Sequence, residues 1–341
     1  MSLLPHLTRV LERESLSAND AESAMGTILR GEASQPQIAA FLVALRMKGE
    51  TVDELVGFAR AMRRMAVRVD PGLNGEPLLD TCGTGGDGCN TFNISTIAAF
   101  VVAGAGVRVA KHGNRSITSK CGSADLLEAW GIPIAMSPER TARAIREAGI
   151  GFLFAPAIHQ AMKHAHPVRV ELKLRTVFNL LGPLTNPAGA TAQLLGSPSA
   201  QAAELMAGAL AALGLDRGFV VHGSDGLDEI TTTGPTDAWE IRGGIVEHRV
   251  LDPADFAVRR AAPADLRGGD PQVNLEIANS VLDGARGPRR DIVLVNSAAA
   301  LVAAGKAETF LEGMAVAVVS IDSGAAKAKV EALAAYSANA T

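Results

Sequence analysis

The stretch that most constrains this chain is Asp80-Thr81-Cys82-Gly83-Thr84-Gly85-Gly86-Asp87-Gly88, which places four glycines between positions 83 and 88. Strand-like Pro77-Leu78-Leu79-Asp80 leads into it, and Asn90-Thr91-Phe92-Asn93-Ile94-Ser95-Thr96 carries it on to the apolar helical run from Ile97 to Ala105. A strand, a bare-backbone turn and a helix start in that order point to an α/β fold with a ligand at the strand's end. Residues without Cβ let main-chain N–H groups approach a guest closely, and a helix N-terminus adds unpaired donors and the positive end of a dipole. Phosphate suits such a cradle. Thr91, Ser95 and Thr96 add hydroxyls, whereas the Asp87 carboxylate would repel phosphate unless a metal ion or sugar hydroxyls stood between them. The run reads as neither a Walker A loop, lacking its Gly-Lys-Ser/Thr, nor a dinucleotide turn.

A second loop, Lys111-His112-Gly113-Asn114-Arg115-Ser116-Ile117-Thr118-Ser119-Lys120, follows the short apolar strand Val107-Arg108-Val109-Ala110. A basic run is usually a solvated face. Here Gly113 and Asn114 interrupt it, and it sits at a strand's C-terminal end, where open α/β sheets place their ligands. An anion site is expected.

Gly83 to Asp87, Asn93 to Thr96 and Lys111 to Ser116 together resemble the anthranilate phosphoribosyltransferase family. His166-Pro167-Val168-Arg169, the run from Arg175 to Pro187 and Gly226-Leu227-Asp228-Glu229 agree with it, in the right order along nearly the whole chain. The resemblance implies transfer of the 5-phosphoribosyl group of 5-phosphoribosyl 1-diphosphate to the amine of anthranilate, with loss of diphosphate, in tryptophan biosynthesis. It implies a binding set for the ribose diphosphate of Gly83, Gly86, Asp87, Thr91, Asn93, Ile94, Ser95, Thr96, Lys111, His112, Gly113, Asn114, Arg115, Ser116, Ile117, Thr118, Ser119 and Ser123. For anthranilate it implies Arg169 against the carboxylate, contacts from Asn114 and the Gly83 backbone, and a channel lined by His112, His159 and Pro183. Mg²⁺ would be held by Ser95, Asp228 and Glu229, since a hard cation prefers oxygen ligands and takes one or two carboxylates besides substrate oxygens and water. No general base is assigned, because an aromatic amine is already unprotonated at neutral pH. Thr118 and Cys121 stand where the family commonly has serine.

At 341 residues and 48% hydrophobic content the chain can build two domains with sizeable cores. The formal net charge of −4 argues against a nucleic-acid scaffold while allowing a local basic site. Cys82, Cys89 and Cys121 lack zinc spacing and read as reduced residues of a cytoplasmic protein. No targeting segment or membrane span is evident, since the apolar run from Ile97 to Val107 is too short and glycine-rich to cross a bilayer.

Ser17-x-x-Asp20, Ser34-x-x-Gln37 and Thr51-x-x-Glu54 mark three helix starts, and Gly31 and Gly49 stand where C-terminal glycines end the preceding helices. With an amphipathic first helix they predict four helices up to about residue 68, too few to bury their own surface. The resemblance implies a homodimer through this region, and a small discontinuous all-helical domain of 1–70 joined by helices near 158–182. The α/β domain would be 71–157 and 183–341, with a mostly parallel sheet covered by helices. Alternation predicts strands at 78–81, 107–111, 151–154, 192–196 and 218–222, with helices near 95–105, 122–130, 138–148 and 198–213. Gly243-Gly244 predicts a hairpin between 238–242 and 245–250, and 291–295 reads as strand or helix.

Two rival readings share parts of this pattern. Pyrimidine nucleoside phosphorylases resemble the chain in architecture but differ in the glycine loop and the lysine-serine motif. A non-catalytic relative binding nucleic acid through a basic groove is opposed by the acidic net charge and by intact Arg169, Asp228 and Glu229.

Overall fold

The computed structural model describes residues 2–116 and 120–338. Four helices open the chain: α1 (Leu4–Leu11), α2 (Ala18–Leu29), α3 (Gln35–Lys48) and α4 (Val52–Met65). Ser17 Oγ accepts from Asp20 N and Thr51 Oγ1 from Glu54 N, while Gln37 reaches back to Ser34 N, so the three starts are capped as their spacing predicts. Gly31 and Gly49 follow α2 and α3 with φ of +74° and +89°, conformations that side chains rarely adopt.

A seven-stranded sheet follows, in the order β3-β2-β1-β4-β5-β6-β7. Its strands are β1 (Leu78–Gly83), β2 (Arg108–Gly113), β3 (Ile150–Phe154), β4 (Ala192–Gly196), β5 (Arg217–Gly223), β6 (Thr236–Arg242) and β7 (Ile245–Leu251). The first five are parallel, and β6 and β7 are antiparallel additions at one edge. Gly243 and Gly244 both have positive φ, the geometry of a tight hairpin turn matched to strand twist. The helices between the first five strands are α5 (Ile94–Gly104), α6 (Ser123–Ala129), α7 (Pro138–Glu147), α8 (Ala155–Ile158), α9 (His166–Leu172), α10 (Phe178–Leu181) and α11 (Ala200–Ala212). Four more close the chain: α12 (Pro271–Leu282), α13 (Pro288–Ala303), α14 (Phe310–Asp322) and α15 (Ala325–Ala338). Residues 291–295 are helical, inside α13: Pro288 starts the first turn and the run from Ile292 to Ala303 is buried on every side. A buried helix and a buried strand look alike over so short an apolar run.

The main apolar cluster lies between α5, α12, α13, α14 and the sheet. A second joins α1 to α4 with Ala165, Val168, Val177, Phe178 and Leu181, and with one face of α11. Arg63 Nε also donates to Leu184 O at 2.8 Å. Leu4 and Leu11 of α1 are exposed, at 51% and 63%, so only one flank of that helix is buried. No helix among the described residues is long and apolar enough to cross a membrane.

Candidate functional site at the strand ends

Strand β1 has β2 on one side and β4 on the other, so the chain reverses its direction of travel across the sheet at β1, which is where a crevice opens in such folds. Gly83 ends β1, in register with Gly196 at the end of β4. Beyond Gly83 the backbone turns through Gly85, Gly86 and Gly88 at φ of +66°, +73° and +76°. A Cβ at Gly85 or Gly88 would meet nothing within 4 Å, so conformation rather than crowding calls for glycine there. Gly83, Gly85 and Gly88 do have the G-x-G-x-x-G spacing, so spacing does not exclude a dinucleotide turn. The difference is that residues 89–93 intervene before α5 begins, whereas a dinucleotide turn opens its helix directly. Arg175 bridges this loop to the segment before α10, donating to Gly86 O at 2.9 Å and Gly85 O at 3.1 Å.

Asp228 and Glu229 follow β5 and lie over the same strand ends. A Cβ on Gly196 would fall 1.6 Å from Asp228 O, and one on Gly83 would fall 2.4 Å from Asp228 Oδ2, so two glycines make room for this one residue. Asp228 Oδ2 accepts from Gly85 N at 2.8 Å, and Glu229 Oε1 accepts from Ser95 N at 3.0 Å. The first turn of α5 thus receives a carboxylate, the favoured partner for its dipole. Asn296 of α13 fixes the pair from behind, its carboxamide holding both Ile230 N and Ile230 O at 2.9 Å.

Lost hydration pushes the Asp228 carboxyl well above its ordinary range, with Glu229 and then Asp87 adding repulsion. Burial likewise pushes Glu229 up to about 7, against the pull of Lys111. Two crowded oxygen-donor carboxylates that resist ionising together suit a hard cation, which would relieve both. Among the described residues no group of three or more His, Cys, Asp or Glu could hold a metal ion, so this pair would share one with ligand oxygens and water.

The second loop differs from its sequence reading. Lys111 is 3% exposed, its ammonium donating to Thr81 O, with Asp80, Glu229 and Asp228 among its charged neighbours. Arg115 pairs with Asp125 at 2.9 Å and Glu128 at 2.6 Å on α6. Lys111 is thus a buried counter-charge near the carboxylates, Arg115 is paired with α6, and Lys120 is exposed. Asp80, fully buried, accepts from His112 N at 3.0 Å and Asn186 Nδ2 at 2.7 Å and so ties β1 to β2. Ser123 Oγ donates to Asn114 O at 3.1 Å, and Gly113 leaves the space that Ser123 and Phe152 fill. Asp125 Oδ2 accepts from Ser116 N at 3.3 Å. Ile117, Thr118 and Ser119 lie outside the described residues.

Around α5, Asn93 occupies the cap position but sends its side chain to Cys121 O at 3.1 Å, and Ser95 is inside the first turn rather than capping it. Ile94 and Thr96 are buried, at 1% each, which leaves their main chain rather than their side chains for a ligand. Thr91 bridges to Arg267, and Asp87 Oδ1 accepts from Cys89 N at 3.1 Å.

His112 and His159 lie with ring centroids 5.2 Å apart. Burial pushes His112 down to about 3, helped by His159, and His159 down to about 4. Both are neutral at pH 7. His112 Nε2 is buried with no partner among the described residues, and His159 Nε2 lies 3.4 Å from Thr185 Oγ1. Pro183 is buried, its carbonyl accepting from Gln193 Nε2 at 2.8 Å. The Arg169 guanidinium sits 5.2 Å from the Phe178 ring centroid, half-buried, with no carboxylate pairing it among the described residues. Sequence reasoning gave no individual role to Asp80, Asn186, Arg175 or Asn296, each of which acts across a long stretch of chain.

Two family models match: a glycosyl transferase family helical bundle domain over residues 4–66 and a glycosyl transferase family a/b domain over residues 75–327. The anthranilate phosphoribosyltransferase of Solibacter usitatus is 79% identical over 339 residues, 99% of this chain and 100% of that protein. That of Moorella thermoacetica is 54% identical over 98% of each chain. Among solved structures, the Thermus thermophilus anthranilate phosphoribosyltransferase superposes with a TM-score of 0.91 at 44% identity, covering 97% of this chain and 98% of its own. The Saccharomyces cerevisiae enzyme in complex with PRPP and Mg does so with a TM-score of 0.89 at 30% identity, covering 99% and 98%. By relatives matched from end to end, and by a fold shared over almost every residue, the chain belongs to the anthranilate phosphoribosyltransferase family.

Proposed function

We propose that the strand-end loops bind 5-phosphoribosyl 1-diphosphate, that Arg169 holds anthranilate across the cleft, and that the chain joins the two as N-(5-phosphoribosyl)anthranilate with release of diphosphate. The observation that carries this reading is Asp228 with Glu229, two crowded carboxylates seated on Gly83 and Gly196 beside the glycine-rich turn. Main-chain N–H groups of the turn and the first turn of α5 meet phosphate oxygens, and Asn93, Ser116 and Ser123 add polar contacts. Asp228, Glu229 and Ser95 would hold Mg²⁺, which when bound offsets the negative charge that builds on the leaving diphosphate.

Breaking the C1–O bond leaves positive charge on the ribose. His112 and His159, held neutral, add no opposing charge beside it. The same depression makes His112 a weak base: returning a proton to a group of pKa about 3 at pH 7 costs about 5 kcal/mol. No general base is assigned. Arg169 keeps its charge and offers a planar fork to the anthranilate carboxylate, with its other face on Phe178. Asn114, Pro183, His112, His159 and the Gly83 main chain bound the ring. The amine then attacks C1 opposite the leaving group and inverts that carbon, and the proton its nitrogen sheds goes to the departing diphosphate or to water.

The domain division we favour is 1–70 with 158–182 against 71–157 with 183–341, supported by the apolar cluster that α1 to α4 share with Val168, Val177 and Phe178. A homodimer through the helical part is supported by the exposed apolar residues Leu4, Leu11, Met47, Val170 and Leu174 gathered there. Leu11→Glu with Val170→Glu should halve the mass seen by light scattering. A cytoplasmic setting fits three free cysteines.

The direct test follows anthranilate fluorescence with protein, 5-phosphoribosyl 1-diphosphate and MgCl₂. Loss of signal that needs all of them supports the reading, and no loss from folded protein overturns it.

A further inference from the structure

Asn274 belongs to α12, outside every glycine-rich or basic motif, and is 1% exposed. Its Oδ1 accepts from Gly269 N at 2.7 Å, and its Nδ2 donates to Asn93 Oδ1 at 2.9 Å. A main-chain N–H can only donate, so it fixes which end of the Asn274 carboxamide is which. Asn274 must then offer NH₂ to Asn93, and Asn93 must answer with its carbonyl. The Cys121 thiol, pushed up to about 11 by burial and so protonated, lies 3.4 Å from the same Asn93 oxygen. Asn93 Nδ2 gives one hydrogen to Cys121 O at 3.1 Å. Among the described residues its second N–H has no partner, and it belongs to the residue immediately before α5.

The surrounding backbone makes this contact rigid. Gly268 N donates to Asn90 O at 2.9 Å, and Thr91 forms a bridge with Arg267. A Cβ at Gly268 would lie 2.7 Å from both Asn274 Oδ1 and Phe92 N, so the two segments touch only because that position is glycine.

We infer that Asn274 is a positioning residue for phosphoribosyl transfer, holding the Asn93 carboxamide with N–H rather than C=O free for the oxygens of the ribose diphosphate. The orientation matters because those oxygens are acceptors, many of them anionic, and a flipped carboxamide would set oxygen against oxygen. The inference rests on the reading that Asn93 contacts that substrate.

A double-mutant cycle on the purified full chain separates the two ideas. Asn93→Ala should raise the KM for 5-phosphoribosyl 1-diphosphate about tenfold, as the loss of a hydrogen bond to a charged group does. Asn274→Ala should raise it severalfold, and the double variant no further than Asn93→Ala alone. The KM for anthranilate should stay within about twofold throughout, as expected for separated sites. Asn274→Asp, which sets a carboxylate against Asn93 Oδ1, should exceed Asn274→Ala in effect and serves if the alanine variant folds poorly. Additive losses, or Asn274 variants with a lower Tm and an unchanged KM, overturn the inference. An unchanged KM in Asn93→Ala instead overturns the reading on which it rests.

Discussion

The N-terminal helices and the strand-end loops treat crowded carboxylates in opposite ways. In the helices Glu54 is fully buried, and its oxygens accept from Leu16 N, Thr51 N, the Thr51 hydroxyl and Lys48 Nζ, all at 2.9 to 3.2 Å. At the strand ends one oxygen of Asp228 and one of Glu229 each accept a main-chain N–H, and both carboxyls are pushed up. A closed set of donors stabilises the fold, because a buried charge without partners costs several kcal/mol. An open set keeps that cost in place until a ligand relieves it. The first region is built to stay as it is, and the second to be completed.

The sharpest way to break this contrast is to neutralise the open pair. Asp228→Asn with Glu229→Gln should lower the rate about a thousandfold, the upper range for loss of a group that stabilises transition-state charge, and weaken Mg²⁺ dependence. Full activity in that variant would move the cation elsewhere. Breaking the closed set should do the reverse. Glu54→Ala leaves the buried Lys48 ammonium with Gly49 O but without its ion-pair partner and should cost about 3 kcal/mol in denaturant unfolding, with both KM values of the folded protein unchanged. A shift in KM would show that the regions are not separate.

Arg169→Ala should raise the anthranilate KM by about tenfold to a hundredfold, from a lost charge-assisted contact, with little change for the ribose diphosphate. Equal effects on both would remove Arg169 from its role. The smallest effect concerns pH. His112 and His159 titrate at about 3 and about 4 in the folded protein, against 6.5 when exposed. The unfolded chain therefore binds more protons in that window. Their contribution to stability is full above pH 6.5 and is lost as pH falls through the folded values, by at most about 1.4 kcal/mol per pH unit for each group. His159→Gln should flatten the stability profile between pH 4 and 6.5, and an unaltered slope would contradict its burial as a neutral group.

What could be read from the sequence follows the same division. Ser17, Ser34 and Thr51 announced their helices because a cap acts on a residue three positions away, and Gly243-Gly244 announced its hairpin because a turn is local. The order of strands and helices came through their alternation, whereas family resemblance gave Gly83 and Asp228 roles at the site without giving their contact. Lys111 lies inside β2 rather than in a loop after it, and because β2 is an interior strand buried on both faces a lysine there points into protein whichever way it faces. Asp80 with Asn186, Arg175 with Gly85 and Gly86, and Asn296 with Ile230 left no local pattern, since each joins side chain to partner over 66 to 106 residues.

Gly83 and Gly196 give the sheet a function beyond support. With the Asp228 main chain and carboxylate resting directly on two paired strand ends, the height of that carboxylate above the crevice is gauged by β-sheet geometry, the stiffest ruler in the chain, rather than by the loop that carries it. Lengthening β1 or β4 by one residue, or adding one methyl group at either end, would lift the gauge point. Tolerance for change in this protein should therefore be narrowest not in the acidic residues alone but in the two positions that have no side chain at all.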